Sequence, residues 1–192
     1  PRLDLSAYVE NYLRLEIASE ALTRNLPAFS RFLEVSALSN AKVINYTKIA
    51  NDAQIAPSTA QEYFAILQDT LMGSYLPAWK EGIKRNVSTT SKFYYFDVGL
   101  VNAILQRWSI SPNSSDFGEL LEAFIFNELN AFTHYNMLSP LSHWRTQQKD
   151  EVDFIFNNQI AIEVKAKKQN RVKNRLKPGK PKAILPLLKC SQ

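Results

Sequence analysis

The stretch Glu151-Val-Asp-Phe-Ile-Phe-Asn-Asn-Gln-Ile-Ala-Ile-Glu-Val-Lys-Ala166 decides how the C-terminal part of this chain folds. In Glu151 to Phe156 a strand's alternation puts Val152, Phe154 and Phe156 on one face and Glu151, Asp153 and Ile155 on the other. In Ile160 to Ala166 the same rule turns Ile160, Ile162 and Val164 inward and groups Ala161, Glu163 and Lys165 opposite. With Asn157-Asn158-Gln159 as a three-residue hairpin loop, Phe156 pairs with Ile160 and Asp153 comes opposite Glu163. Apposed carboxylates repel unless a cation or a proton lies between them, and hard oxygen ligands suit magnesium or manganese. A metal held by Asp153 and Glu163 would polarise a phosphodiester and lower the pKa of a bound water. Lys165 would orient that water or offset charge in the transition state. The competing reading is two solvated acids on a hairpin, with Glu163 and Lys165 as a weak ion pair.

Upstream, Gly118 to Thr133 reads as an apolar helix with Leu121, Phe124, Ile125, Leu129 and Phe132 at helical spacing, followed by a short strand His143-Trp-Arg145. The order of helix, strand, acid-bearing strand and Ile162-Glu-Val-Lys165 resembles the PD-(D/E)xK nuclease superfamily, although no proline precedes Asp153. That resemblance implies an α/β restriction-endonuclease-like domain. It also implies a helical acid, matched by Glu122 with Glu119 as the alternative, joining Asp153 and Glu163 around the metal.

Further upstream, Leu5 to Leu38 reads as two helices broken near Asn25-Leu26-Pro27. Asn45 or Thr47 caps a short helix, and Pro57 opens a longer one with an apolar stripe Ala60, Phe64, Leu67 and Leu71. Two helices around a tight turn, followed by strands at Ser74 to Trp79 and Phe93 to Phe96, form a winged-helix pattern. The outer side of the second helix carries Thr59, Gln61, Glu62, Ala65, Gln68 and Asp69, and Glu62 and Asp69 would repel a DNA backbone. Packing or protein contact therefore leads, with Lys84, Arg85 and Lys92 left as wing cations for phosphate.

The turn formers Ser109 to Asp116 mark a linker. The reading is thus α+β, with a helical and winged-helix region over 1–108, a linker over 109–116 and a nuclease-like domain over 117–192. The net charge of +5 is unevenly spread. From Lys165 onward there are 10 basic residues and no acid, leaving 13 Lys and Arg against 18 Asp and Glu, net −5, before it. That basic tail either touches nucleic acid, through Lys167 and Lys168 among others, or only solvates the end of the chain. Cys190 is the only cysteine, which excludes an internal disulfide and suits a reducing, cytoplasmic compartment. His134 and His143 lack metal-ligand spacing, and each reads as a surface or a packing histidine. No apolar run reaches the ~20 residues of a membrane span.

Taken together, Phe29 to Leu38, Tyr46 to Leu71, Leu76-Pro77, Lys92-Phe-Tyr-Tyr-Phe-Asp-Val-Gly-Leu100, Gly118 to Leu129, Trp144-Arg145, Glu151-Val-Asp153 and Ile162-Glu-Val-Lys165 resemble the domain of unknown function that follows the ATPase module in prokaryotic AAA-type ATPases. That resemblance implies a DNA-associated accessory region using Asp153, Glu163, Lys165 and Glu122 with magnesium or manganese, or alternatively a catalytically inactive interaction and regulatory module. The expected partners are DNA, the parent's ATPase module and, as an open alternative, further copies of the chain. No GxxxxGK[S/T] phosphate loop is present, so ATP enters only through a module outside this chain. Pro1 at the start fits a piece of a longer protein. Arg171 to Pro181 suits neither the helix nor the strand that the resemblance implies after Lys168.

Overall fold

A computed structural model describes residues 2–12, 17, 23, 25–79, 90–112, 114–146, 150–166 and 183–187, the last five by their backbone. The chain forms two compact units, one from Pro1–Tyr75 with Phe93–Ser109 and the other from Leu76–Lys92 with Ile110–Gln192.

The first unit holds the helices α1 (Arg2–Asn11), α2 (Leu26–Leu38), α3 (Tyr46–Ala53) and α4 (Pro57–Asp69), most of the paired strands β1 (Gly73–Leu76) and β2 (Lys92–Tyr95), and α5 (Val98–Ile104). Asn45 caps α3 by accepting the Lys48 N–H at 2.9 Å, and Gln54 ends it in the left-handed region at φ 56°. Pro57 then opens α4, whose Ala60, Tyr63, Phe64 and Leu67 are buried. Leu71 departs from the expected stripe. The helix stops at Asp69, Leu71 turns to φ 60° and its side chain is 81% exposed. The core is aromatic, with Phe64 meeting Phe32 at 5.0 Å and Phe93 at 4.9 Å in edge-to-face pairs. Gly73 is required where β1 passes β2, since a Cβ there would stand 2.5 Å from the Phe93 ring and the Tyr94 carbonyl. The helix α5 was not read in the sequence; Asp97 caps it through the Leu100 N–H at 2.9 Å. Helix, turn, helix and two strands thus follow in the expected order. The segment read as a wing, with Lys84 and Arg85, lies outside the described residues.

The second unit is built from α6 (Ser115–Tyr135) and a four-stranded sheet in the order β3 (Ser142–Arg145), β4 (Glu151–Phe156), β5 (Ile160–Val164) and β6 (Ala183–Leu187). The first three strands are antiparallel neighbours and β6 runs parallel to β5. Phe156 pairs with Ile160, the register the hairpin reading requires. Asn157 and Asn158 turn the chain at positive φ, which asparagine tolerates better than most residues. One sequence expectation changes here. Residues 76–92, read as part of the first region, belong to this unit: the His143 N–H donates to the Pro77 carbonyl at 2.9 Å and the Trp79 N–H to the His143 carbonyl at 2.7 Å, adding a parallel bridge at the β3 edge. The chain continues past the basic run into β6 beside β5, and residues 167–182 of that run lie outside the described residues. On α6 the buried side chains include Leu120, Ala123, Ile125 and Phe126, whereas Phe124 and Phe132, apolar positions at helical spacing, are about half exposed. The whole is a mixed helix and sheet protein of the α+β class.

Candidate functional site: a buried ionic cluster

Ser142 faces Ile155 and Trp144 faces Val152, so His143 alone lies opposite both Asp153 and Phe154. One extra residue in β4 is a β-bulge, and it resets the alternation of side chains. Val152 and Ile155, three apart, consequently share an apolar cluster with Trp144 and Ala161, which strict alternation forbids. Phe154 stacks on Phe126 of α6 at 6.3 Å, and Phe156 meets Phe132 at 6.1 Å. Asp153 Oδ2 accepts the Val164 N–H, and the charge of Glu122 on α6 bears on it. The expected grouping of Glu151, Asp153 and Ile155 on one face is therefore corrected, and the bulge is the cause.

Around Asp153 the structure assembles a cluster centred on Lys92. The Lys92 side chain is 3% exposed, and its Nζ stands 2.9 Å from Glu122 Oε1 and 2.6 Å from Glu151 Oε1. Arg145 Nη1 approaches the other oxygen of Glu151 at 3.7 Å. Burial pulls the Lys92 ammonium down, but Glu122 and Glu151 together outweigh it and hold it above its ordinary value. Burial pushes Glu151 up, yet Lys92 and then Arg145 bring it below the usual carboxylate range. Asp153 behaves in the opposite way: burial and then the charge of Glu122 push its carboxyl up to about 6. The Val164 N–H donates to Asp153 Oδ2 at 2.7 Å and limits that rise. His143 is fully buried beside this group, and burial lowers it to about 4. It is therefore neutral near pH 7, with Nε2–H donating to the Thr90 carbonyl at 3.0 Å. Its Nδ1 has no hydrogen-bond partner among the described residues.

The β4–β5 pairs run from Phe156 with Ile160 to Phe154 with Ile162, and beyond them Asp153 Oδ2 accepts the Val164 N–H, so the expected apposition of Asp153 and Glu163 is not among the pairs. The charge of Glu122 on α6 bears on Asp153. Each acid is nonetheless engaged within the chain: Glu122 and Glu151 by Lys92, Asp153 by the Val164 N–H, and Glu163 by Lys165 at 3.4 Å. Among the described residues no group of three or more His, Cys, Asp or Glu side chains could hold a metal ion. As arranged, these donors do not fit a resident magnesium or manganese ion.

Lys92 requires a second correction. Read as a wing cation for phosphate, it is instead buried and held by two glutamates. Lys167 and Lys168, like Lys84 and Arg85, lie outside the described residues. The sequence reading did not assign Glu151, Arg145 or His143 to any site. The available signal was Lys92 itself, a lone charge opening the aromatic run Phe93 to Phe96, where a strand that buries its neighbours must also bury the lysine and so supply it with acids.

Residues 1–110 match the family described as a domain of unknown function (DUF8612). The chain belongs to that family. Within the same chain, residues 117–178 match a further domain of unknown function (DUF4143), found at the C-termini of AAA-ATPase-associated proteins. An uncharacterized protein of Mycobacterium tuberculosis is 26% identical over 149 residues, and one of Mycobacterium bovis matches to the same extent. Each match covers 76% of this chain, which spans about a third (33%) of the length of these relatives. No solved structure matches the chain. No described helix is long and apolar enough to cross a membrane.

Proposed function

We propose that this chain is an accessory region of an AAA-type ATPase that works by docking and regulation, without cutting nucleic acid. The match of residues 117–178 to a domain found behind such ATPases supplies the context. The observation that carries the choice between docking and cutting is the buried Lys92, which takes up the helix acid Glu122 that a nuclease would direct at a metal. The outward face of α4, with Glu62 and Asp69 exposed, also suits a protein partner better than a phosphate backbone.

A second reading, a magnesium- or manganese-dependent DNA phosphodiesterase, is favoured by one observation: Asp153 feels the charge of Glu122 and accepts the N–H of Val164, the residue after Glu163. Incubation with manganese and single-stranded, duplex or branched DNA decides between them, with Asp153→Ala and Lys165→Ala as controls. The docking reading expects no cleavage beyond what both variants retain. Cleavage abolished by both substitutions establishes the nuclease and removes the docking reading.

A further inference from the structure

Lys92 reaches the acids from the first residue of β2, Glu122 from the second turn of α6 and Glu151 from the start of β4, all within the second unit. Its ammonium is within hydrogen-bond distance of both carboxylates, at 2.9 and 2.6 Å, so it does for them what a small divalent ion would: it lies between two oxygens and cancels their repulsion. Magnesium and manganese sites commonly use only one or two carboxylates, completed by water. The pair Glu122 and Glu151 is thus a sufficient protein contribution to such a site once the ammonium is gone. A lysine side chain 3% exposed has no solvated position to retreat to, and leaving would take from Glu122 and Glu151 the cation they share, with Arg145 still beside Glu151.

We infer that Lys92 is the resident cation of this cluster, a covalently tethered ammonium that holds Glu122 and Glu151 together and keeps divalent ions out. The inference deepens the docking reading and rests on it only in assuming that no metal is needed for function. It also defines a latent site: removing the lysine charge leaves a two-carboxylate pocket with Asp153 nearby, able to take manganese.

The test is a manganese chloride titration of the full chain, read by calorimetry and by the paramagnetic signal of free ion. The wild-type chain is expected to show no binding that Glu122→Gln diminishes. Lys92→Gln, which keeps length and loses charge, is expected to bind manganese at least tenfold more tightly than wild type, and Lys92→Arg, which keeps the charge, to show no gain. The gain should vanish in the double variant Lys92→Gln with Glu122→Gln. Where Lys92→Gln is unfolded without metal, manganese should restore its thermal transition. The inference is overturned if wild type binds manganese through Glu122, or if Lys92→Gln neither binds more tightly nor is restored by the ion. DNA cleavage is scored separately, so a chain that cuts DNA without Glu122-dependent metal binding sinks the docking reading and leaves the Lys92 assignment standing.

Discussion

The two units bury their interiors by different chemistry. In the first, Phe29, Phe32, Tyr63, Phe64, Tyr75, Phe93 and Tyr95 interlock, and the polar atoms among them are matched pairwise, as where the Tyr95 hydroxyl meets Ser36 Oγ at 2.6 Å. In the second, an apolar layer of Trp144, Val152, Ile155 and Ala161 accompanies a buried group of charges: Lys92, Glu122, Glu151, Asp153 and the neutral His143. An aromatic interior is held by area and shape, so it answers to side-chain volume. An ionic interior is held by mutual compensation, so it answers to proton concentration and to loss of any one partner. The shifted groups fit this division. In the first unit they are Tyr75 and Tyr95, whose hydroxyls burial pushes upward; in the second they include Asp153 and His143, which titrate in the acidic range.

The largest expected effect breaks the first interior. Phe64→Ala removes a ring in contact with Phe32, Tyr46 and Phe93, and should cost about 4 kcal/mol, a typical value for deleting a buried phenyl ring. Urea denaturation of the full chain, followed by tyrosine and tryptophan fluorescence, measures it. A loss below about 1 kcal/mol would mean that the aromatic cluster is not what holds the first unit.

The next effect concerns protons and should be confined to the second unit. His143 is lowered to about 4, so between pH 4 and its unfolded value near 6.5 the unfolded chain binds more protons, and stability is lost as pH falls. Asp153 is raised to about 6, so between its unfolded value near 3.9 and pH 6 the folded chain binds more protons, and stability is gained as pH falls. The two slopes oppose one another in the unaltered protein. Asp153→Asn should uncover the first, a loss on the order of 3 kcal/mol from pH 6.5 to pH 4, and His143→Gln the second, a gain of similar size from pH 6 to pH 4. Thermal unfolding across that range checks both. Identical pH profiles in the two variants would show that these groups do not titrate as their surroundings dictate.

The smallest effect sharpens the comparison at a surface element. Asn45→Ala removes the cap on α3 and should cost about 1 kcal/mol at any pH between 5 and 8, because a neutral amide supplies it. A cost that varied with pH would place the cap under the influence of charges not described for the first unit.

Much of this was legible in the sequence because periodicity and cap chemistry are local. Asn45, Pro57 and the β4–β5 hairpin register follow from near neighbours alone. Leu71 shows the limit of that reading: the spacing rule continues past the point where the helix ends. The bulge at Asp153 and Phe154 could not be read from alternation, because it arises from how β3 pairs with β4. Lys92 and Glu122 are 30 residues apart and Glu151 lies further on, so their meeting depends on topology that spacing does not encode.

The path of the chain through its two units has a practical corollary for anyone who wishes to dissect it. The backbone passes between them three times, after Tyr75, after Lys92 and after Ser109. Cloning from Phe117 onward would retain Glu122 and Glu151 but discard Lys92, their counter-ion, together with the Pro77 to Trp79 segment that lines the β3 edge. The two matched families meet between residues 110 and 117, so the boundary drawn by inheritance crosses a cluster that physics treats as one object. Neither half is a natural excision product, and a protein with the second unit intact must carry residues 76–92 with it.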